Sequence, residues 1–328
     1  MESHSERVLL PARAPTDAWM ACMRRGDFAA AWRVSDEVLA RRRARMEDCS
    51  HWPRHLQFIW NGEPIENRRL LIRCYHGLGD TIQFVRLLTP LRARAAEVTL
   101  WVQPQLIELV RTVPGIDRIE ALHDGVPQID YEVDIELMEV PHVLRLTPAR
   151  IPRRVPYIYV PPSRLQLDPS MLNVGLAWQS GDWLPERSIP DSALAPLTNI
   201  AGVRWYSLQY PHRTPPLPAT DLACADIVEL GSRMQALDLI ITVDTMVAHL
   251  AGALGLSVWT ALQADCDWRW MSERSDSPWY PTMRLFRQHA PGGWSSVIEE
   301  IRAALECETR GRVTSRARDI RSAGCRAS

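Results

Sequence analysis

The strand-to-helix turn at Asp244-Thr245 carries residue types suited to binding an anion. The apolar run at residues 239–243 predicts a buried parallel strand, and apolar residues then recur at helical spacing up to Gly255. At such a turn, free backbone N–H groups and the helix dipole favour a phosphate group. The alternative is an ordinary strand–helix unit in which Asp244 caps the helix.

The turn at Gly77-Leu78-Gly79-Asp80 follows a second predicted strand, at residues 69–74. Its glycines let the backbone turn sharply and approach a ligand closely. Asp80 could accept a proton from an attacking hydroxyl group, or it could cap the next helix, a contribution of roughly 1 kcal/mol. Because Ile82 takes the third glycine position of G-x-G-x-x-G, we do not predict a nicotinamide dinucleotide site.

A third group of polar residues follows the predicted strand at residues 173–178. The loop after this strand carries Asp182, Arg187 and Ser188. Arginine suits the neutralisation of a leaving phosphate, because its guanidinium is planar and always charged, although a surface salt bridge is the competing explanation. Asp265-Cys266-Asp267 matches a D-x-D metal pattern, but no third ligand is apparent and we predict no metal site.

The composition limits the chemistry available to these turns. The chain has 328 residues, an apolar share of 46% and a formal net charge of −1, and all 38 residues counted as Lys or Arg are arginine. A Schiff-base lysine and a P-loop lysine are thereby excluded. The seven cysteines are widely spaced, which indicates a reducing compartment, and no apolar run is long enough to cross a membrane. We predict a cytoplasmic protein and leave peripheral contact with the inner membrane open.

Alternating strand and helix patterns predict an α/β fold that holds these turns. Residues 16–46 predict two amphipathic helices separated near Gly26, similar to one tetratricopeptide-type helix pair. Prolines between residues 148 and 171 predict an interdomain linker. We also predict a helix at residues 81–91, a strand at 227–230, a last helix at 294–305 and a basic, disordered tail from residue 309.

Together these motifs resemble those of the GT-B glycosyltransferases of the ADP-heptose:lipopolysaccharide heptosyltransferase family, and most closely its bacterial branch that follows tetratricopeptide repeats. The resemblance covers roughly residues 55–305. The residues that carry it are Gly77-Leu78-Gly79-Asp80-Thr81-Ile82-Gln83-Phe84, Arg187-Ser188-Ile189-Pro190, residues 203–209, Asp244-Thr245 with residues 248–255, Asp267-Trp268-Arg269-Trp270 and Asp276-Ser277-Pro278-Trp279-Tyr280-Pro281. None of these motifs is specific by itself.

The resemblance implies an α/β fold of two Rossmann-like domains facing a cleft, the GT-B arrangement, after a short N-terminal helical segment. The implied ranges are a helical cap at 1–50, an acceptor domain at 51–160, a nucleotide-sugar domain at 161–308 and the basic tail at 309–328.

The resemblance also implies inverting, metal-independent transfer of a sugar from a nucleotide-sugar donor to a hydroxyl of a glycan, lipid or protein, with no separate cofactor. Asp80 would be the catalytic base. The donor would contact Arg187, Ser188, Asp244, Thr245, Met246 and His249. Further candidates for the cleft are Gly77, Gly79, Gln83, Trp178, Trp268 and Asp276.

Three features depart from the pattern of this branch. Tyr75-His76 stands where Glu-Gln is usual, Met246 fills a position that is often small, and the helical repeat is reduced to about one unit. They leave open a catalytically silent binding or scaffold protein with the same fold. The basic tail suggests nucleic-acid binding, but the net charge of −1 argues against it and we expect no nucleic-acid partner.

Overall fold

The computed structural model describes residues 13–181 and 184–324 of the chain. As predicted, two helices open this part, α1 (Arg13–Arg24) and α2 (Phe28–Arg45). Gly26 between them has a φ of 77°, a backbone conformation that favours glycine. Asp27 then caps α2, since its carboxylate accepts a hydrogen bond from the Ala30 N–H. The turn therefore follows directly from its sequence.

The helix pair packs as a cap on the α/β body. The Trp268 ring lies edge-on to Trp19 and Phe28, with ring centroids 5.4 Å and 6.4 Å away. The indole N–H of Trp32 donates to the Leu146 carbonyl at 2.7 Å. Aromatic side chains thus attach the cap to both halves of the molecule, because Trp268 and Leu146 belong to different halves.

The first sheet has four parallel strands in the order β3-β2-β1-β4: β1 (Arg69–Arg73), β2 (Glu97–Val102), β3 (Arg118–Ala121) and β4 (Val133–Glu136). Its helices are α3 (Leu78–Phe84), α4 (Leu88–Arg92), α5 (Ile107–Val110) and α6 (Val140–Val143). The predicted single helix at residues 81–91 is wrong, because a 3-10 turn at Val85–Leu87 separates α3 from α4. Pro90 lacks an N–H group and crowds the carbonyl four residues earlier, which explains the break.

The second sheet has six parallel strands in the order β10-β9-β8-β5-β6-β7: β5 (Leu172–Ala177), β6 (Val203–Ser207), β7 (Ala219–Asp221), β8 (Leu239–Val243), β9 (Val258–Leu262) and β10 (Met283–Arg287). Its helices are α7 (Ile227–Met234), α8 (Met246–Ala253) and α9 (Trp294–Gly324). The predicted strand–helix unit at residues 239–255 is confirmed as β8 and α8. Gly255, with a φ of 73°, lies just beyond the end of α8.

The predicted strand at residues 227–230 is wrong, because these residues form the first half of α7. The Asp226 carboxylate accepts hydrogen bonds from the Val228 and Glu229 N–H groups at 2.9 Å and 3.0 Å. This cap fixes a helix start that the short apolar run did not reveal. The three-residue strand β7 was not predicted; it pairs with β6 at the sheet edge.

The predicted disorder from residue 309 is also wrong for the described residues, because α9 continues to Gly324. The Arg312 guanidinium lies 2.7 Å from the Asp238 carboxylate and donates to the Met171 carbonyl at 3.3 Å. Arginine, alanine and glutamate are good helix formers, so a low apolar content did not prevent a helix that is docked in this way. Residues 325–328 lie outside the described part.

The two sheets share a continuous apolar core at their join. In the proline-rich segment, the Tyr157 hydroxyl donates a hydrogen bond to the Ile82 carbonyl at 2.9 Å, and the Tyr157 N–H donates one to the Ala253 carbonyl at 3.0 Å. This segment therefore bonds to both halves. The sheets fall on either side of residue 160, although the domain boundaries themselves stay a prediction. In the ranges given above, no helix combines the length and the apolar character needed to cross a membrane.

We predict that Gly252→Ala destabilises the fold, whereas Gly311→Ala does not. A Cβ at Gly252 would lie 2.5 Å from Cδ1 of the buried Tyr280, so the free energy of unfolding should fall by about 1–3 kcal/mol. A Cβ at Gly311, within α9, meets nothing within 4 Å, and alanine there should add about 0.5–1 kcal/mol. Urea denaturation measures both changes. A loss of stability in Gly311→Ala would contradict the extended helix.

Candidate functional site

The two predicted turns meet at the join between the sheets. A Cβ on Gly79, in the first turn of α3, would lie 2.8 Å from Cδ2 of His249 and 3.3 Å from Cα of Met246. Only glycine permits this approach. Because Met246 begins α8, the N-terminal turns of α3 and α8 are in contact, and the positive ends of both helix dipoles lie together.

Asp80 is held from both sides of its carboxylate. Oδ2 accepts a hydrogen bond from the Gly77 N–H at 2.9 Å. Gly77 takes the N-cap position of α3 and Asp80 is its third residue, so the alternative prediction of Asp80 as the N-cap is wrong. Oδ1 accepts one from Nη2 of Arg269 at 2.6 Å. Burial alone would raise the pKa of Asp80, but the charge and hydrogen bond of Arg269, together with the neighbouring histidines, outweigh it and keep the pKa below its ordinary value. Asp80 is therefore a fully engaged carboxylate and a weak proton acceptor.

Asp244 and Arg187 lie together where the second sheet meets the join. Nη1 of Arg187 donates to the Asp244 carbonyl at 3.3 Å and lies 3.9 Å from the Asp244 carboxylate. Burial raises the pKa of Asp244 above its ordinary value, and the positive charges of Arg269 and Arg187 offset only part of this effect. Asp244 does not cap α8, because the residue at the cap position is Thr245. The competing prediction of an N-cap at Asp244 is therefore wrong.

His249 lies behind the candidate donor site rather than in it. The ring is 2% exposed, stacks on Trp270 with centroids 5.3 Å apart, and shares a hydrogen bond of 3.0 Å with the Tyr280 hydroxyl. Burial, reinforced by the charge of Arg269, lowers the pKa of His249 to about 3. The side chain is therefore neutral, and in this arrangement it packs the two halves together instead of facing a ligand.

Thr245, Met246 and Ser188 are partly exposed and form the rim of the join with Arg187. Thr245 has an extended backbone and makes no side-chain capping bond to α8. The Ser188 hydroxyl accepts a hydrogen bond from the Ser180 N–H at 3.0 Å, which fixes the loop that carries Arg187. Asp182 lies outside the described residues. Hydroxyl groups, helix N–H groups and one arginine are thus available to a ligand at this rim.

Four predicted cleft residues are not placed at the rim. Trp178 and Trp268 are buried core residues, and the Trp178 indole N–H donates to Asp191 at 2.7 Å. Gln83, on α3, is fully buried, and neither Nε2 nor Oε1 of its side chain has a hydrogen-bond partner in the described part of the chain. Asp276 is exposed, pairs with Arg274 at 2.6 Å and bridges to the start of β10 at the outer sheet edge. Trp178, Trp268 and Gln83 are therefore enclosed by the fold and Asp276 lies at a sheet edge, so their assignment to a cleft stays a prediction.

Arg269 and His76 lie in the site, although neither was predicted to be a site residue. The Arg269 guanidinium is 8% exposed and lies 3.1 Å from Asp267 as well as 2.6 Å from Asp80. The chain has no lysine, so only arginine or histidine could pair with carboxylates buried at the turns. The absence of lysine was the sequence feature that could have pointed to Arg269 and His76. His76 immediately precedes Gly77 and pairs with Glu136, the last residue of β4.

A cavity of about 600 Å³ lies near the end of α2 and contains none of the predicted site residues. Its lining combines arginines such as Arg42 and Arg73 with the Asp134 carboxylate and the Phe58 ring. Across the described residues, no group of three or more His, Cys, Asp or Glu side chains is arranged to hold a metal ion.

Comparison with known proteins supports the fold. No family model matches the chain. Protein FlbA of Caulobacter vibrioides is 24% identical over 288 residues, which cover 75% of this chain and 48% of FlbA. The chain therefore spans about half the length of this curated relative.

Two solved structures align with the chain. The iron-containing dodecameric glycosyltransferase TibC of enterotoxigenic E. coli matches with a TM-score of 0.54 and 14% identity, over 79% of this chain and 78% of TibC. The E. coli heptosyltransferase WaaC, solved with ADP, matches with a TM-score of 0.48 and 11% identity, over 74% of this chain and 99% of WaaC. The similarity to TibC and the two parallel sheets confirm the predicted GT-B fold class.

Glu139, next to Glu136 in space, has a shifted pKa that can be tested by the pH dependence of stability. Its Oε2 accepts hydrogen bonds from the Trp60 N–H at 2.8 Å and the Glu136 N–H at 3.0 Å. Burial, together with the charge of Glu136, raises the pKa of Glu139 from 4.5 to about 7. Because the folded-state pKa exceeds the unfolded-state value, the unfolded chain releases this proton first as the pH rises. The group therefore lowers the stability of the fold between about pH 4.5 and pH 7.

We predict that Glu139→Gln reduces this pH dependence. Relative to the variant, the wild-type protein should lose on the order of 2 kcal/mol of unfolding free energy over that interval, once partial exposure is allowed for. Urea denaturation at a series of pH values measures the difference. The exposed Glu108 provides the control, and Glu108→Gln should follow the wild-type curve. Parallel curves for Glu139→Gln and wild type would contradict the shifted pKa.

Proposed function

We propose that the chain is a glycosyltransferase that uses a nucleoside diphosphate sugar and binds the diphosphate at the rim where α3 and α8 meet. The contact between the N-terminal turns of these helices is the observation that carries the proposal. Two positive helix ends at one place repel each other, and an anion bound there would relieve the repulsion. The GT-B fold, shared with TibC, supports the assignment to sugar transfer.

Arg187 would supply the charge that the leaving group needs. Its side chain is 26% exposed, so part of it is accessible to a ligand. Nη1 donates a hydrogen bond to the Asp244 carbonyl, in the turn after β8. The diphosphate gains negative charge as the bond to the sugar breaks, and fixed donors stabilise that charge most in the transition state. Arg187, Ser188 and the α8 N–H groups would fill the role that a metal ion has in other transferases, so we propose metal-independent transfer.

The acceptor hydroxyl would approach from the first sheet. A glycan, a lipid or a protein can offer such a hydroxyl, and the attack on the sugar carbon requires a base at the carboxyl end of β1. The resemblance assigns this role to Asp80. Asp80 and His76 both lie at this edge, and either side chain can accept a proton.

A catalytically silent protein with the same fold is the second candidate. Arg269 and the Gly77 N–H occupy both oxygens of Asp80, and Gly79 touches Met246 without space between them. A silent protein that retains the donor site would bind nucleotides without turnover.

We predict that ADP, GDP or UDP, or a hexose derivative of one of them, raises the melting temperature of the protein in a thermal-shift screen. Arg187→Gln should weaken this binding by about 10- to 150-fold, because one charge-assisted hydrogen bond contributes about 1.5–3 kcal/mol. Arg164→Gln, a change to an exposed arginine in the proline-rich segment, is the matched control and should bind as the wild type does. No shift with any of these compounds would contradict the proposed donor site.

A further inference from the structure

We propose that His76 is the catalytic base of this site and that Glu136 is its positioning residue. This inference rests on the glycosyltransferase function proposed above. It assigns the proton transfer to a histidine–carboxylate pair instead of to Asp80.

His76 and Glu136 form a fixed pair at the carboxyl edge of the first sheet. Nδ1 of His76 lies 3.0 Å from Oε1 of Glu136, which is 1% exposed. The Tyr75 N–H also donates to Oε1, and the Met138 N–H donates to Oε2 at 2.6 Å. With donors on both oxygens, the carboxylate cannot turn away from the imidazole. β1 and β4 are neighbours in parallel register, with Arg73 opposite Glu136, and this register places the pair.

This pairing determines which ring nitrogen can accept a proton. An ionised carboxylate only accepts hydrogen bonds, so Nδ1 carries the hydrogen in the neutral ring and Nε2 carries the lone pair. The side chain is 30% exposed, and Nε2 has no hydrogen-bond partner among the described residues. The backbone is fixed as well, because the Gln103 amide donates to the His76 carbonyl at 2.8 Å. A substrate hydroxyl at the mouth of the site can therefore reach an oriented base.

Asp80 is a weaker proton acceptor than His76, because its neighbours lower its pKa. Proton uptake by Asp80 would weaken the 2.6 Å contact with Arg269 and the 2.9 Å bond from the Gly77 N–H. Its charge serves His76 instead, since a protonated imidazole next to two carboxylates is stabilised by both. The same logic, a carboxylate that orients a histidine and stabilises its charged form, operates in hydrolase triads.

The charges around His76 adjust its basicity. Burial disfavours the imidazolium, but the hydrogen bond and charge of Glu136 on β4 and the charge of Asp80 on α3 outweigh it. Arg269, from the loop after β9, opposes them. The net effect raises the pKa of His76 above its ordinary value of 6.5. A base with a pKa near the working pH transfers protons efficiently.

In the proposed step, the acceptor oxygen forms a bond to the anomeric carbon while the bond from that carbon to the diphosphate oxygen breaks. The hydroxyl proton moves to Nε2 of His76, and the electron pair of the broken bond leaves with the nucleoside diphosphate. The products are the glycoside, the nucleoside diphosphate and an imidazolium paired with Glu136. Release of this proton to water restores the base.

The test uses the full-length protein and needs no known acceptor, because water can take the place of the acceptor hydroxyl. Hydrolysis of ADP-, GDP- and UDP-glucose and of ADP-D-β-D-heptose is followed through release of the nucleoside diphosphate. We expect the acid limb of kcat/KM in the wild type to lie above pH 6.5, because the neutral imidazole is the active form. Glu136→Gln keeps an acceptor for Nδ1 but removes the charge, and should move the limb to lower pH.

His76→Ala should lower turnover by about 10²–10⁴-fold, and added imidazole should restore part of it. Binding of the nucleoside diphosphate should remain as in the wild type, which separates this result from failure of the donor site. His212→Gln is the matched control: His212 also pairs with a carboxylate, Asp221 at 2.9 Å, and its loss should leave turnover unchanged.

An acid limb below the ordinary Asp pKa of 3.8, or unchanged turnover in His76→Ala, would overturn the assignment of His76 and restore Asp80 as the base. Nucleotide binding with no turnover in the wild type would overturn the base assignment but not the donor site. Absence of both binding and turnover would overturn this inference together with the proposed function.

Discussion

The close approach at Gly79 is the constraint on which the arrangement of the two halves depends. With His249 and the Met246 backbone already within van der Waals contact, no side chain fits at this position. The approach brings two helix N-termini together, and a contact of this kind is unfavourable unless negative charge lies nearby. Asp80 and Asp244 supply that charge in the protein itself. A diphosphate at the rim would add to it from outside.

Arginine side chains connect the two halves across this join, and the chain has no lysine to do so. Arg269 reaches from the second half to Asp80 in the first, and Arg86 reaches from the first half to the Trp279 carbonyl in the second. The Arg86 guanidinium also lies over the Tyr157 ring, 4.0 Å from its centroid. A planar guanidinium can stack on an aromatic ring while it donates at its edge, which an ammonium group cannot do. The two halves are therefore tied together by charge and by aromatic packing at the same place.

In the proposed function, the site separates into a side that binds the diphosphate and a side that accepts the proton. Arg187 and Ser188 are fixed by the loop after β5, whereas His76 and Glu136 are fixed by the β1–β4 pair. Asp80 lies between these sides and is fully engaged by its neighbours. His76 follows the end of β1, and Glu136 at the end of the neighbouring β4 lies 3.0 Å from its ring. A departure in sequence thus coincides with a complete hydrogen-bonded pair in the structure.

The sequence by itself determined the local elements and the two turns. The apolar runs predicted strands such as β8, the glycines marked the sharp turn before Asp80, and Gly255 marked the end of α8, since each depends on residues close in the chain. It did not reveal the start of α7, which the Asp226 cap fixes, or the docking of α9 through Arg312. Only the tertiary structure decided which side chains meet at the site. The His76–Glu136 pair spans 60 residues and the Asp80–Arg269 pair spans 189, and strand order and domain packing, which no local pattern encodes, set both distances.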